Sequence, residues 1–200
     1  MSDTRSEKYF GQALKRKEDP RFLTGQGNYV DDLVIPGMLS MAIVHSPYPH
    51  ARIRSIDKTA ALAVPGVKAV ITGEDLVAAS LGWLPTFHGF DKQMVLAVGK
   101  ALFQHQEVAA VFAETREAAM DAVELVEVDY EPLDPVTSPF DAMKDETILR
   151  DDRDDKTNHI YHWESGHRDE TDAALGDAEV VINEKVYSPR CHPAPLEPCG

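Results

Sequence analysis

The longest purely apolar run in this 200-residue chain covers only residues 108–113, and a glutamate stands on either side of it. A helix that crosses a membrane needs about 20 apolar residues, so this run is too short to predict one. A short apolar run between charged residues is typical of a strand that is buried on both faces. The strongest hydrophobic signal therefore predicts a globular fold built around one interior strand.

Shorter patterns on both sides of this run predict further strands and short helices. Strands are predicted at residues 38–46, 51–56, 67–72, 95–98, 126–130, 160–164 and 180–186. Helices are predicted at residues 57–63, from Thr115 onward and at residues 170–175, with Asp57 and Thr115 as N-terminal caps. Ile53 and Ile56 are out of phase, so a bulge is expected between them, and residues 80–92 are predicted as a loop. The mixture predicts an α+β or α/β domain.

The charge of the chain is negative and unevenly distributed. The formal net charge is −14, and residues 101–200 hold 24 acidic but only 8 basic side chains. This balance argues against a nucleic-acid backbone or an anionic membrane as the main partner. We interpret the acidic half as a solvated surface, with contact to a basic partner as the alternative.

Cysteine usage and the N-terminus predict the cellular compartment. The chain has two cysteines, Cys191 and Cys199, which is fewer than a secreted disulfide scaffold carries. Residues 1–8 are polar and lack the apolar core of a signal peptide. We therefore expect a soluble protein in the reducing cytoplasm.

One pair of residues suggests zinc chemistry, but the motif is incomplete. His105 and Glu107 match the His-x-Glu half of a zinc-deaminase motif, whose other half is Pro-Cys-x-x-Cys. Pro198 and Cys199 begin that second half, but they lie far along the chain and the motif is not completed. We favour a strand-edge histidine and a surface glutamate over a zinc site.

A second set of possible metal ligands lies near the end of the chain. His159, His162 and His167 offer three imidazoles in a short segment, and zinc needs three or four ligands that converge at about 2 Å. The odd spacing of His159 and His162 would place them on opposite faces of a strand. Three further candidates are Cys191, His192 and Cys199. The prolines around them favour an extended segment with buried or inert thiols.

Two further patterns resemble ligand-binding loops only in part. Residues 151–155 have the charge of a calcium loop but lack its central glycine and closing glutamate, so a solvated turn is favoured. Gly25 and Gly27 lack the third glycine of a dinucleotide fingerprint because position 30 is a valine. From these residues, we expect no catalytic, cofactor-binding or metal-binding residue in this chain.

Several segments, in order along the chain, resemble the large subunits of molybdenum hydroxylases, the family that includes xanthine dehydrogenase and aldehyde oxidase. These segments are residues 16–22, 25–32, 35–39, 45–53, 65–67, 106–109 and 126–133. The resemblance runs from about Lys15 to Gly200. Within the family, residues 158–164, 171–173 and 192–199 are similar to the aerobic carbon monoxide dehydrogenase branch.

The resemblance implies a fold and a set of boundaries. It implies the α+β class, with an α/β-hammerhead domain of mixed sheet and short packing helices over residues 15–190. Residues 1–14 are then a polar lead-in, and residues 191–200 begin a molybdopterin-binding domain. Because the last predicted strand runs straight into Gly200, we expect the chain to be cut there, with the active-site loop beyond it.

The resemblance also implies an activity, which belongs to a full-length parent. That parent would be the cytoplasmic, molybdenum-binding large subunit of an enzyme that oxidises carbon monoxide with water to carbon dioxide. Electrons would pass through iron–sulfur clusters to FAD. The implied cofactor is molybdopterin cytosine dinucleotide with molybdenum, and with copper in this branch. The implied partners are an iron–sulfur small subunit and an FAD-binding medium subunit, assembled as a dimer of heterotrimers.

The segment itself is expected to be structural and inactive when alone. Two alternatives stay open at this point. One is the same domain of a family member that oxidises an aldehyde, xanthine or another heterocycle. The other is a separate, non-catalytic interaction module.

Overall fold

The computed structural model describes residues 12–86, 89, 91–189, 191 and 193. It divides into two compact units, one made of Met1–Pro36 and Ile182–Gly200 and the other of Gly37–Val181. The first unit contains helix α1 (Asp19–Leu23), which begins at an Asp-Pro pair, and a short 3₁₀ turn at Val30–Asp32. Proline suits the first turn of a helix because the N–H groups there have no partner within the helix.

The second unit contains three small antiparallel sheets. The first sheet has the order β1 (Ser40–His45), β7 (Glu107–Ala113), β3 (Val67–Thr72), and the second has the order β6 (Lys100–Ala101), β2 (Ala51–Asp57), β8 (Glu127–Pro132). The third is a pair of strands, β4 (Trp83–Pro85) and β5 (Lys92–Met94). The helices are α2 (Thr59–Leu62), α3 (Gly73–Ala78), α4 (Arg116–Val123), α5 (Pro139–Ala142) and α6 (Arg168–Gly176).

The predicted interior strand is confirmed as β7. It pairs with β1 on one side and β3 on the other, and Val108, Ala109 and Val111 are fully buried. Residues of both faces of the strand are therefore buried, as the apolar run at residues 108–113 predicted, although Phe112 stays partly exposed.

Helix α4 covers one face of this sheet. Thr115 caps it as predicted, because its hydroxyl accepts a hydrogen bond of 3.2 Å from the Ala118 N–H. Ala119 and Ala122 are fully buried, and their small side chains let the helix approach the sheet closely. The main core cluster consists of Val44, Ala61, Val70, Ala109, Val111, Ala122 and Val126.

Several other expectations are confirmed in detail. The register of β2 against β8 shifts between Ile53 and Ser55, which is the expected bulge. The N-cap of α2 is Lys58, one residue later than predicted, but the Asp57 carboxylate does accept a hydrogen bond of 2.8 Å from the Thr59 N–H at the start of the helix. Sheets packed by short helices confirm the α+β class. Every strand pairing among the described residues is antiparallel, although the resemblance implied a mixed sheet.

The region around residues 80–98 corrects two predictions. The predicted loop at residues 80–92 contains β4 and the first residue of β5, whereas the predicted strand at residues 95–98 is not a strand. Leu96 and Ala97 are buried there. Their apolar side chains are explained by this burial, without pairing in a sheet. Strands of three residues are too short to show an alternating pattern, and the glycines and proline nearby favoured a loop.

Two predicted strands, at residues 160–164 and 180–186, are also wrong, because neither segment is a strand in the structure. Trp163 is 72% exposed, Ile182 84% and Val186 86%. Alternating apolar residues give a strand only when a neighbouring strand supplies hydrogen bonds, and the described residues pair no strand with either segment. The predicted helix between them is confirmed as α6.

Among the described residues, no helix has the length and apolar character required to span a membrane.

Candidate functional site

The structure places the incomplete zinc motif on the surface. His105 is exposed, has a left-handed backbone with φ of 65°, and its ring centre lies 6.2 Å from that of His45. Glu107 begins β7 and pairs with His45 in the sheet. Pro198 and Cys199 lie outside the described residues. Across the residues that the structure describes, no group of three His, Cys, Asp or Glu side chains could hold a metal ion.

The second set of candidate ligands does not converge either. His159 and His162 have ring centres 6.5 Å apart, and the Nε2 atom of His162 lies 3.1 Å from Glu164. His167 is exposed near the start of α6. The thiol of Cys191 was expected to be buried or inert, and the structure places it on the surface, which excludes burial. His192 and Cys199 fall outside the described residues.

Gly25 and Gly27, the incomplete dinucleotide fingerprint, lie in the loop between α1 and the 3₁₀ turn. Gly25 has a positive φ of 69° with open space around it. A positive φ is typical of glycine in a turn, which agrees with the interpretation of this segment as a turn.

The acidic run at residues 151–155 forms turns as expected, but its carboxylates are not simply solvated. One aspartate of this run, Asp151, binds side chains from other elements. We call residues 148–155 the ionic strap. The Asp151 carboxylate forms an ion pair of 2.8 Å with the Lys100 ammonium group and a second one of 3.3 Å with the Arg52 guanidinium. The Lys100 side chain is only 6% exposed, so this ion pair is partly shielded from water.

Burial and ion pairing act in opposite directions on Asp151. Burial disfavours its charged form, but the hydrogen bond from Lys100 and the charges of Lys100 and Arg52 outweigh burial and lower the pKa of the carboxyl. Lys100 also donates a hydrogen bond of 3.4 Å to the Ile148 carbonyl. The aspartate is thus held ionised against the second sheet.

Arg150, the neighbour of Asp151, makes the second set of contacts of the ionic strap. Its guanidinium forms two hydrogen bonds, of 2.7 and 2.8 Å, to the Asp152 carboxylate, and these are the main reason why the pKa of Arg150 is raised. The guanidinium also donates a hydrogen bond of 2.8 Å to the Lys92 carbonyl and lies 3.3 Å from the Asp91 carboxylate. Its central carbon lies 5.1 Å from the centre of the Trp83 ring, over which it stacks. Planar, bidentate pairing of this kind is the strongest form of side-chain ion pair.

Each arginine of the ionic strap has an anionic partner. Arg153 pairs with Asp155 at 2.6 Å and lies 3.6 Å from Asp91. The two arginines of the ionic strap thus face three carboxylates. Since each cation already has an anionic partner, the geometry is suited to fastening elements together.

Asn158 closes the base of the same segment. Its side-chain amide donates to the carbonyls of Ala142 and Thr147 at 3.2 and 2.8 Å and accepts from the Leu149 N–H at 2.9 Å. The Asp145 carboxylate accepts from the Thr157 hydroxyl and from the Asn158 N–H, both at 2.7 Å. These contacts give the loop that carries the ionic strap a fixed shape.

A buried polar corner lies in the turn from β1 to β2, inside one of the segments that carry the resemblance. Ser46 is fully buried, donates to the Tyr48 carbonyl at 2.9 Å and accepts from the Tyr48 N–H at 3.2 Å. His50 is only 3% exposed, and its Nδ1 lies 2.7 Å from the Asp134 carbonyl. Because a carbonyl can only accept, Nδ1 carries a proton there. Sequence analysis missed this histidine because a turn rich in prolines is usually exposed.

An apolar groove of about 440 Å³ runs along the outer face of the first sheet, opposite the core. Met41 on this face is 57% exposed, whereas its neighbours Ala42 and Val44 are buried on the other side. The groove is lined by Met41, Ile43, Ile71, Leu76, Leu84, Gln93, Met94, Val95, Leu96, Glu107, Ala110 and Phe112. The sequence shows only that residues 38–46 are apolar on both faces, which does not reveal that one face lacks a covering helix.

Comparison with known proteins places these features in a family context. The family described as "Aldehyde oxidase and xanthine dehydrogenase, a/b hammerhead domain" matches residues 24–134. The carbon monoxide dehydrogenase large chain of Hydrogenophaga pseudoflava is 50% identical over 92% of this chain and 24% of its own length. Subunit gamma of the 6-hydroxypseudooxynicotine dehydrogenase complex of Paenarthrobacter nicotinovorans is 37% identical over 95% of this chain and 24% of its own.

Among solved structures, a Cu,Mo-CO dehydrogenase in its carbon monoxide reduced state matches with a TM-score of 0.74 and 50% identity. The match covers 85% of this chain and 23% of that one. This chain therefore spans about a quarter of the length of the relatives that it matches.

Proposed function

The chain belongs to the aldehyde oxidase and xanthine dehydrogenase a/b hammerhead domain family, and from that premise we propose that it is the N-terminal part of the large subunit of an aerobic carbon monoxide dehydrogenase. The observation that carries this proposal is the difference in identity within the family. A carbon monoxide dehydrogenase chain is 50% identical, and a 6-hydroxypseudooxynicotine dehydrogenase subunit is 37% identical over a similar length.

The proposed reaction of the whole enzyme is the oxidation of carbon monoxide and water to carbon dioxide, two protons and two electrons. When bound, molybdopterin cytosine dinucleotide with molybdenum and copper would supply the redox chemistry. The electrons would leave through an iron–sulfur small subunit to an FAD-binding medium subunit. We propose a cytoplasmic dimer of such heterotrimers.

The described residues of this chain do not fit such a metal centre. They bring no three ligating side chains together, and the described candidate histidines at positions 105, 159, 162 and 167 are exposed. The proposed role of this part of the chain is to fold as a domain and to pack against the catalytic part of the large subunit.

The apolar groove supports that packing role. Exposed apolar surface on a sheet is unfavourable in water and is typical of a surface that another element covers. We propose that the remainder of the large subunit covers this face, because the relatives are about four times as long as this chain.

A substrate panel tests the proposed activity. The complete native enzyme that contains this chain is purified, and reduction of an artificial electron acceptor is followed with carbon monoxide, an aldehyde, xanthine or an aromatic heterocycle as the only donor. We expect turnover with carbon monoxide alone. Turnover of an aldehyde or a heterocycle, with none of carbon monoxide, would assign the chain to another branch of the family.

A further inference from the structure

Strands β4 and β5 have the apolar groove on one side and the ionic strap on the other. Leu84 and its cross-strand partner Gln93 line the groove, whereas Trp83 and Asp91 contact the arginines of the ionic strap. Successive residues of a strand point to opposite faces, so Trp83 and Leu84 mark the two sides. Within the described residues, β4 and β5 pair only with each other and form a sheet of their own.

Because these two strands add to neither of the larger sheets, contacts outside the sheet ladders hold them. Arg150 supplies three: a 2.8 Å hydrogen bond to the Lys92 carbonyl, a 3.3 Å ion pair with Asp91, and stacking over Trp83. The side chains of Arg150 and Asp91 are 15% and 14% exposed. Ion pairs with this degree of burial are screened less by salt than exposed pairs.

The next residue of the ionic strap, Asp151, is tied to the second sheet. Asp151 binds Lys100, the first residue of β6, at 2.8 Å and Arg52 of β2 at 3.3 Å. The ionic strap therefore connects the second sheet to β4 and β5 through charged groups, while the groove between β4, β5 and the first sheet is apolar.

We propose that the ionic strap is a positioning device that holds β4 and β5 in place as one wall of the apolar groove. The strap sets the shape of that groove without lining it. This inference goes beyond the proposed function, because it holds for the fold whatever the enzyme oxidises.

The test is amide hydrogen exchange, followed by mass spectrometry, on the complete protein. Arg150→Met keeps the aliphatic stem and removes the ion pairs and the stacking. Arg116→Met, on the exposed start of α4, is the matched control. Hydrogen bonds to charged groups are among the stronger ones, so we expect peptides from residues 82–95 to exchange about tenfold faster or more in Arg150→Met. Peptides from β7 are expected to be unchanged, and so is the control.

Unchanged exchange of residues 82–95 in Arg150→Met would overturn the proposal. If that variant loses protection in β7 as well, the fold has failed, and Asp91→Asn decides the question. This change removes one carboxylate that faces both arginines and leaves the Arg150–Asp152 pair intact. Faster exchange confined to residues 82–95 supports the proposal, and exchange equal to that of the unmodified protein contradicts it.

Discussion

At the scale of single residues, the most consequential side chain is Lys100. It is nearly buried, and its ammonium group binds Asp151 and the Ile148 carbonyl. The sequence could not predict this, because charge patterns report neighbours along the chain and Asp151 lies far from Lys100 in sequence. The buried His50 was missed for a similar reason, since its partner is the carbonyl of the distant Asp134.

Removal of the Asp151 carboxylate leaves the Lys100 charge without its anionic partner. We expect Asp151→Ala to lower the free energy of unfolding by about 1 to 3 kcal/mol, the usual cost of losing a hydrogen bond to a charged group. Asp154→Ala in the same acidic run is the control and is expected to change it by less than about 0.5 kcal/mol. Equilibrium urea unfolding measures both, and equal effects of the two variants would contradict a special role of Asp151.

The same carboxylates predict how stability depends on pH. The pKa of Asp152 is lowered mainly by its hydrogen bonds to Arg150, and that of Asp151 is lowered by Lys100 and Arg52 despite burial. In the unfolded chain an aspartate has a pKa of about 3.9. At pH values near and just below this pKa the unfolded chain binds more protons than the folded one, so stability rises with pH there. The stabilisation is present above that pKa and is lost as the pH falls through the lower folded-state values.

Urea midpoints at a series of pH values between 6 and 2 would check this dependence. We expect the midpoint of the unmodified chain to fall steeply in the acidic range. The double variant Asp151→Asn, Asp152→Asn should have a lower midpoint at pH 6 and a shallower fall. Parallel curves for the two proteins would mean that these carboxyls do not contribute to the acid response.

At the scale of elements, local patterns predicted the fold where they were dense. Strand β7 was predicted because residues 108–113 are all apolar, and α4 because Thr115 and a stripe of alanines mark its start and its buried face. Strands β4 and β5 were not predicted, because three residues are too few to show the alternation of apolar and polar residues that marks a strand. The alternating pattern of a strand is present in residues 160–164 and 180–186. A strand also needs a neighbouring strand to pair with, and the pattern within one segment does not show whether such a neighbour exists.

Two glycines in helices predict opposite effects of one substitution. Gly73 begins α3 and is buried, and a Cβ there would collide with the backbone of Ala97, so Gly73→Ala is expected to destabilise the fold by about 1 to 3 kcal/mol through overpacking. Gly176 ends α6 with open space around it, so Gly176→Ala is expected to be neutral or to stabilise by up to about 1 kcal/mol. Thermal unfolding of the two variants measures whether each substitution lowers or raises the stability. A stable Gly73→Ala protein would contradict the close packing of α3 against residue 97.

At the scale of the whole molecule, the described residues hold folding contacts and an apolar groove but bring no ligating cluster together. Sequence analysis predicted the family from segments such as residues 45–53, and the comparisons confirm it. The sequence of these segments did not reveal their structural role. Ser46 and His50 are buried in the structure, and burial cannot be read from a segment of polar residues and prolines. The proposed division of labour leaves the chemistry to the rest of a subunit about four times as long.

The mass of the native polypeptide tests that division most directly. The subunit that contains these residues is purified from its source cells, identified by its peptides and weighed intact by mass spectrometry. The chain alone has a mass of 22.1 kDa, and we predict a native mass about four times larger. A native mass near 22.1 kDa would contradict the account, since a polypeptide of that size would have no catalytic part for this domain to pack against.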